Sequence, residues 1–412
     1  MEQHGHTFLH WLQTEGGYAN PALEFRLDEK MGWGLVSVAD LHENATIFSI
    51  PRTLILHPAR CHEYIQEDLQ TVKDYTYLHP REWMVLFLVL VRLLGEVKEP
   101  VLPLTQAYCH YLSLFPDNIV TPLQFTSSEL ALLEGTNLYN AVSDKLQATL
   151  ASSERARTWL CQANISKNAV LNNILHAMTE LQWVRLWRWA DACYSSRSFP
   201  PQVGGWSVGD EPILIPGFDA LNHRRGEPVT WAFDSAQKAA IFTMRHDISA
   251  SAQVFNNYGA KSNEELLASY GFVEPGGPDD VLSFALRSSA DDPMEMYYWH
   301  KSNPNPPLEL MKRLSDPLQE GENEVSVLLS RVHGVEALES MVRRRYKAFR
   351  TVQREVDDTV AFDGPDGIRE SVLNMVKEYR SGQQELLKKA ISWAEMELDK
   401  LLEQLTENGW EL

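Results

Sequence analysis

The sequence predicts an α+β protein: a β-rich core interrupted by a long helical insertion, then an all-α C-terminal domain. Three features lead to this. Residues 24–57 break into short apolar and β-branched runs at Gly32, Gly34 and Pro51. Residues 58–196 change to helical spacing, and strand-like runs return after about residue 205 before a last helical stretch. Neither β piece is large enough to fold alone, so the two must meet in space around the insertion.

In chain order, EFRLDEKMGWGLVSVADLHENATIFSIPRTLIL reads as two or three short strands with tight turns. The insertion follows with REWMVLFLVLVRLLGE, SSELALLEGTNLYNAV and NILHAMTELQWVRLWRWADACYSS, each spaced as a helix. After the turn-rich SFPPQVGGWSVGDEP, strands are expected at Ile213–Ile215, Val229–Phe233, Ala239–Met244 and Gln253–Asn256, with Asp234–Lys238 as a hairpin turn. Beyond Pro275–Pro278 the pattern is helical again, strongest at Glu324–Asp357 and Gly367–Leu405. This predicts four segments: 1–60, 61–196, 197–280 and 281–412.

At 412 residues and 44% hydrophobic content, the chain can bury more than one core. The opening MEQHGHTFLHWLQTEGG lacks a basic stretch followed by an apolar one, and the run Met84–Val91 is much too short to span a bilayer. Neither secretion nor membrane insertion is expected. Cys61, Cys109, Cys161 and Cys193 are far apart and lack closely spaced ligands, which points to reduced thiols and no metal site. An intracellular setting, cytoplasmic or also nuclear, fits best. The net charge of −19 opposes nucleic-acid binding and favours encounter with a basic partner.

Gly32-Trp33-Gly34 could let backbone approach a ligand, although a glycine turn in a hairpin is the commoner meaning of such a pair. No helix follows it, which disfavours a dinucleotide fold. LIPGFDALNH (214–223) and VFNNYGAKSNEELLASYGF (254–272) resemble the motifs of SET-domain protein methyltransferases, specifically the Rubisco large-subunit methyltransferase-like group. The resemblance extends through HYLSLFPDNIVTPLQFTSSELALLEGTNLY, WADACYSSRSF and EYRSGQQELLKKA, and so covers nearly the whole chain. Singly, His223, Arg197, Tyr258 and Tyr270 could be a turn residue, a surface charge and core aromatics. Their order is what carries the likeness.

The resemblance implies a SET core with a helical insertion and a helical substrate-binding domain, and an S-adenosyl-L-methionine-dependent protein N-methyltransferase. Lysine of a non-histone protein, such as a ribosomal protein or translation factor, is the implied acceptor. Histidine methylation, or an inactive SET-like binding module, are the alternatives. It also implies that Met31, Gly32, Trp33 and Gly34 embrace the cofactor. Arg197, Asn222 and His223 would contact its amino-acid and adenosine portions, Asp219 would support the Asn-His turn, and Phe272 would pack on adenine. Tyr258 is the implied catalytic residue. It would orient and polarise rather than remove a proton, since a phenol of ordinary pKa about 10 is a poor base at neutral pH. Tyr270 would line the acceptor channel. Trp231 stands where the group often carries a tyrosine, which alters channel width and hydrogen bonding. No metal is implied, and the oligomeric state is left open.

Overall fold

The computed structural model describes residues 2–28, 31–70, 75–95, 97, 101–163, 168–287, 292–315 and 324–410. The chain divides into two compact units, residues 1–119 with 145–260 and residues 120–144 with 261–412. The first opens with helix α1 (Glu2–Thr14) and strands β1 (Tyr18–Ala19), β2 (Leu23–Asp28), β3 (Gly32–Ser37) and β4 (Thr46–Pro51). Helices α2 (Pro58–Leu69), α3 (Pro80–Leu94), α4 (Pro103–Gln106) and α5 (Cys109–Leu112) follow. Helix α6 (Ser127–Ala131) lies in the second unit, and α7 (Asn137–Gln162) carries the chain back to the first. There α8 (Ala169–Ala177) and α9 (Glu180–Arg197) lead to β5 (Val229–Asp234), β6 (Ala239–Met244) and β7 (Gln253–Val254). The second unit resumes with α10 (Asn263–Tyr270), β8 (Val281–Leu286), β9 (Glu295–His300), α11 (Leu308–Leu314), α12 (Glu324–Asp358) and α13 (Glu370–Glu407).

In the first unit, strands from before and after the insertion share both sheets. One has the order β1-β4-β6-β5 and the other β2-β3-β7. The β4/β6 ladder pairs Ser49 with Ile241 and Ile50 with Ala240, and Ile47, Phe48, Ile50, Ala240 and Phe242 are fully buried. Phe218 packs edge-on against Phe242 at 5.3 Å and adds its ring to that core. The β5/β6 hairpin closes as expected: Asp234 Oδ1 accepts from the Ala236 and Gln237 amides, and Lys238 takes a left-handed φ of 52°.

Helix α3 is buried on every side from Glu82 to Val91, which explains an apolar run with no polar stripe. Its start is fixed by a capping box between His79 and Glu82, and Arg155 pairs with the same Glu82 carboxylate. The expected strand at Ile213–Ile215 needs correction. These residues are fully buried, but they make only isolated bridges, Ile213 with Phe199 and Leu214 with Leu56. Their apolarity reflects burial rather than a ladder.

In the second unit, α12 and α13 form a long helical hairpin. Leu338, Val342 and Phe349 meet Leu386, Leu387 and Ala390 in one cluster. Val332 and Val335 meet Ala394 and Leu401 in another. The expectation that helices begin directly after Pro278 also needs correction, because β8 and β9 form an antiparallel hairpin first. Leu282, Phe284 and Trp299 of that hairpin join the first cluster, so the hairpin covers apolar surface that the two helices leave.

Glu129 ties two parts of this unit together. Its buried carboxylate closes the α6 capping box with Thr126 and accepts from the Arg369 amide, Nε and Nη2. Burial pushes the carboxyl up, but these donors outweigh it and hold Glu129 below the ordinary value. A lowered carboxylate contributes stability above its unfolded-state value of about 4.3 and loses it as pH falls through the folded-state value. The advantage of the parent over Glu129→Gln should therefore be full at pH 7 and shrink well below pH 4.3. Urea midpoints at the two pH values check this.

Candidate functional site

In the first unit, the sequence-distant glycine turn, Asn-His pair and NNYG segment come together. Strand β3 begins at Gly32, whose φ of 76° favours glycine and whose Cα faces open space. At Gly34 the reason for glycine is different. A Cβ there would stand 2.8 Å from Asn222 Nδ2 and 2.1 Å from Gln253 Nε2, so only bare backbone lets these amides approach. Asn222 Nδ2 donates to the Trp33 carbonyl at 3.3 Å. Met31, exposed just before the turn, is held by its backbone N–H, which donates to Asp28 Oδ1 at 2.8 Å.

The segments 221–224 and 254–258 run beside each other. The Asn256 amide donates to Asn222 O at 2.8 Å, the Arg224 amide to Asn256 O at 2.9 Å, and His223 bridges Asn256 in parallel. The Tyr258 amide donates to His223 Nδ1 at 3.0 Å, so the neutral ring carries its proton on Nε2. The two rings stack with centroids 4.8 Å apart. Tyr258 Oη donates to the Leu221 carbonyl at 3.0 Å. With its proton directed there, the phenol oxygen acts only as an acceptor toward anything else beside it.

Arg197 ends α9 and lies over the Phe115 ring, 4.6 Å from its centroid. Its Nη1 donates to Asp219 O at 2.9 Å and Asp219 Oδ2 at 3.1 Å. Burial works against the Arg197 charge, but Asp219, Cys193 and Tyr111 together outweigh it and hold the guanidinium above its ordinary value. Burial pushes the Asp219 carboxyl up, against the pull of Arg197 and of the Tyr111 hydroxyl, which donates to Oδ2 at 3.0 Å. Burial, and then Asp219, raise the Tyr111 phenol well above its usual value, so it stays a donor. The Arg197 bonds within the protein use Nη1, and the Nε and Nη2 edge suits a ligand carboxylate.

Trp231, half-buried on β5, donates from Nε1 to Asn256 Oδ1 at 3.1 Å and meets Phe199 edge-on at 5.7 Å. Asn256 Oδ1 also accepts the Asn257 amide at 2.8 Å. The indole is thereby fixed by the same buried asparagine that joins the two neighbouring segments.

Tyr270 and Phe272 belong to the second unit. Tyr270 ends α10, and Gly271, with φ of 76°, terminates the helix where a Cβ would meet Val120 O at 2.5 Å. The two rings lie 6.2 Å apart, and burial raises the Tyr270 phenol.

Three contributors were not singled out from sequence: Tyr111, Asn256 and the Leu221 carbonyl. Tyr111 and Asn256 both fall inside the stretches that carry the family resemblance. Among the described residues no group of three His, Cys, Asp or Glu side chains is placed to hold a metal ion, and no helix is long and apolar enough to cross a membrane.

No family model matches the chain. A ribosomal lysine N-methyltransferase, set10 of Schizosaccharomyces pombe, is 30% identical over 185 residues, 44% of this chain and 31% of the relative. An actin-histidine N-methyltransferase of Drosophila melanogaster is 24% identical over 311 residues, 69% of this chain and 52% of the relative. The chain thus spans about a third to a half of the length of these curated relatives. A solved structure of Rubisco LSMT bound to sinefungin and monomethyllysine superposes with a TM-score of 0.71 at 18% identity, covering 97% of this chain and 93% of that one. At that identity the likeness shows the fold.

Proposed function

We propose, from the premise that this chain carries the SET fold of the Rubisco LSMT-like group, that it is an S-adenosylmethionine-dependent protein-lysine N-methyltransferase. One observation carries the reading. Gly32–Gly34, Asn222–His223 and Tyr258, drawn from both sides of the insertion, converge in one unit, with open space above Gly32.

The donor set fits the cofactor. The bare backbone at Gly32-Trp33-Gly34 allows close approach, with Met31 at its edge. The Nε and Nη2 edge of Arg197 would hold a carboxylate, and Asn222 and His223 would face the rest of the molecule, with Asp219 holding Arg197 through Nη1. When bound, the cofactor supplies an electrophilic methyl group on a sulfonium. Tyr258 Oη, an acceptor toward its surroundings, stabilises positive charge there and aligns the N–H of an incoming amine. The amine must arrive neutral, which desolvation of a lysine favours. Trp231 would limit acceptor size.

The acceptor protein is proposed as basic and non-histone, a ribosomal protein or translation factor being the kind that fits. The net charge of −19 and the name of the set10 relative support this. The chain's widely spaced cysteines support action in the cytoplasm, with the nucleus a second compartment. Trp231 favours one second reading, histidine methylation, because its indole puts a donor bonded to Asn256 where the group often has a phenol.

Calorimetry with S-adenosylmethionine, then labelled methyl transfer to a cell extract with the modified residue mapped by mass spectrometry, tests the proposal. Binding and methyllysine are expected. Methylhistidine moves the chain to the second reading, and absence of cofactor binding overturns both. Arg197→Lys keeps a cation for Asp219 but loses the paired edge, so cofactor affinity should fall about tenfold. Unchanged affinity would remove Arg197 from the cofactor site.

A further inference from the structure

In a chain with 56 acidic and 37 basic residues, one surface has the opposite character. Between α12 and α13 lies a groove of about 700 Å³ lined by Arg343, Lys347, Arg350 and Arg354 from α12 and Lys388 from α13. The α12 cations recur at steps of four, three and four residues, which places them along one face of the helix. No carboxylate side chain lines the groove. Arg343 is paired with Glu339 and Glu395. Lys347, Arg350, Arg354 and Lys388 are exposed, and among the described residues none of them has an acidic partner within ion-pair distance. Unpaired like charges at this spacing oppose one another and weaken the helix, so helix stability does not account for the row.

The groove is not wholly polar. Tyr346 and Ile391 form part of its lining, and the arginine and lysine stems add apolar surface beneath their charged ends. We propose that this groove is a docking site for an acidic polypeptide segment that carries apolar side chains. Carboxylates would meet the row of cations, and the apolar side chains would seat on Tyr346 and Ile391. A nucleic-acid strand fits less well. Tyr346 is the one aromatic ring in the lining and offers little stacking for bases. The inference rests on the second unit alone and is independent of the methyl-transfer reading. The groove selects by the charge of the segment that docks, whatever the overall charge of the protein carrying it.

The test uses the full chain, with fluorescence anisotropy of a labelled glutamate peptide bearing leucines at helical spacing. A matched lysine peptide and a labelled uridine oligonucleotide are run beside it. The acidic peptide should bind, weaken with salt, and weaken about tenfold or more in the Lys347→Glu/Arg350→Glu double variant. Lys347→Gln/Arg350→Gln should give a smaller loss, and Arg185→Glu, on exposed surface of α9, none. Among the described residues these lysine and arginine side chains make no ion pair, so the variants should keep the parent's melting curve. Three results would each overturn the proposal: no peptide binding by the parent, equal affinity in the double variant, or tighter binding of the oligonucleotide or the lysine peptide.

Discussion

Tyr258→Phe should bind S-adenosylmethionine as the parent does and lose about a hundredfold or more in the rate of methyl transfer. The ring is retained by its stacking on His223, and the backbone turn by the Tyr258 amide bond to His223 Nδ1. What disappears is the oxygen, whose proton is committed to the Leu221 carbonyl and which therefore offers acceptor character to the reacting groups. Single-turnover transfer at saturating cofactor separates this from any change in binding. The lost bond to Leu221 removes about 1 kcal/mol of stability at most sites of this kind, so a modest drop in melting temperature is compatible with the prediction. Near-parent turnover would show that the hydroxyl serves packing alone.

How far these features could be read from sequence depends on the range of the interaction behind them. The β5/β6 hairpin was legible because its turn chemistry is local: Asp234 caps the next two free amides and Lys238 completes the reversal. The β8/β9 hairpin was not. In β9, Tyr297 and Trp299 face the cluster, but Met296 and Tyr298 on the opposite, exposed face are apolar too, so the sequence lacks the polar/apolar alternation that marks a half-buried ladder. Ile213–Ile215 misled in the opposite sense, since full burial makes an irregular segment as apolar as a central strand.

The same distinction holds at the candidate site. The residues with motif identity, Gly32, Gly34, Arg197, Asn222, His223 and Tyr258, could be picked out because their order resembles a family. Their partners could not. Asn222 reaches Trp33 across 189 positions and Tyr111 reaches Asp219 across 108, and nothing local to either stretch announces the pairing. Trp231 was noted for its missing hydroxyl, but its anchoring by Asn256 emerges only when β5 and the NNYG segment lie side by side. A replacement of Trp231 by tyrosine would thus free Asn256 Oδ1 from one of its two donors.

The largest stability effect is expected in the second unit, at Arg380. This arginine is fully buried on α13. Its Nη1 donates to the carbonyls of Leu132 and Glu134, its Nη2 to that of Phe349, and its Nε to Gln353 Oε1. The guanidinium also lies 4.3 Å from the Phe349 ring centroid. Burial lowers its pKa to about 10, still well above neutrality, so the group remains charged and fully occupied as a donor. It joins α13 to α12 and to the segment before α7. Arg380→Ala removes the side-chain donors from the Leu132, Glu134 and Phe349 carbonyls, two of these bonds being buried, and opens a cavity beside Phe349. A loss of about 3–5 kcal/mol in unfolding free energy is expected, from buried acceptors left unsatisfied together with the cavity. Arg380→Lys can place a charge there but cannot span the Leu132, Glu134, Phe349 and Gln353 acceptors with a planar fork, so it should recover only part of the loss. Arg369→Lys, at a half-exposed position of the same unit, should cost much less. Urea unfolding of the three variants at pH 7 gives the comparison, and an Arg380→Ala midpoint close to the parent's would show that these buried bonds add little net stability.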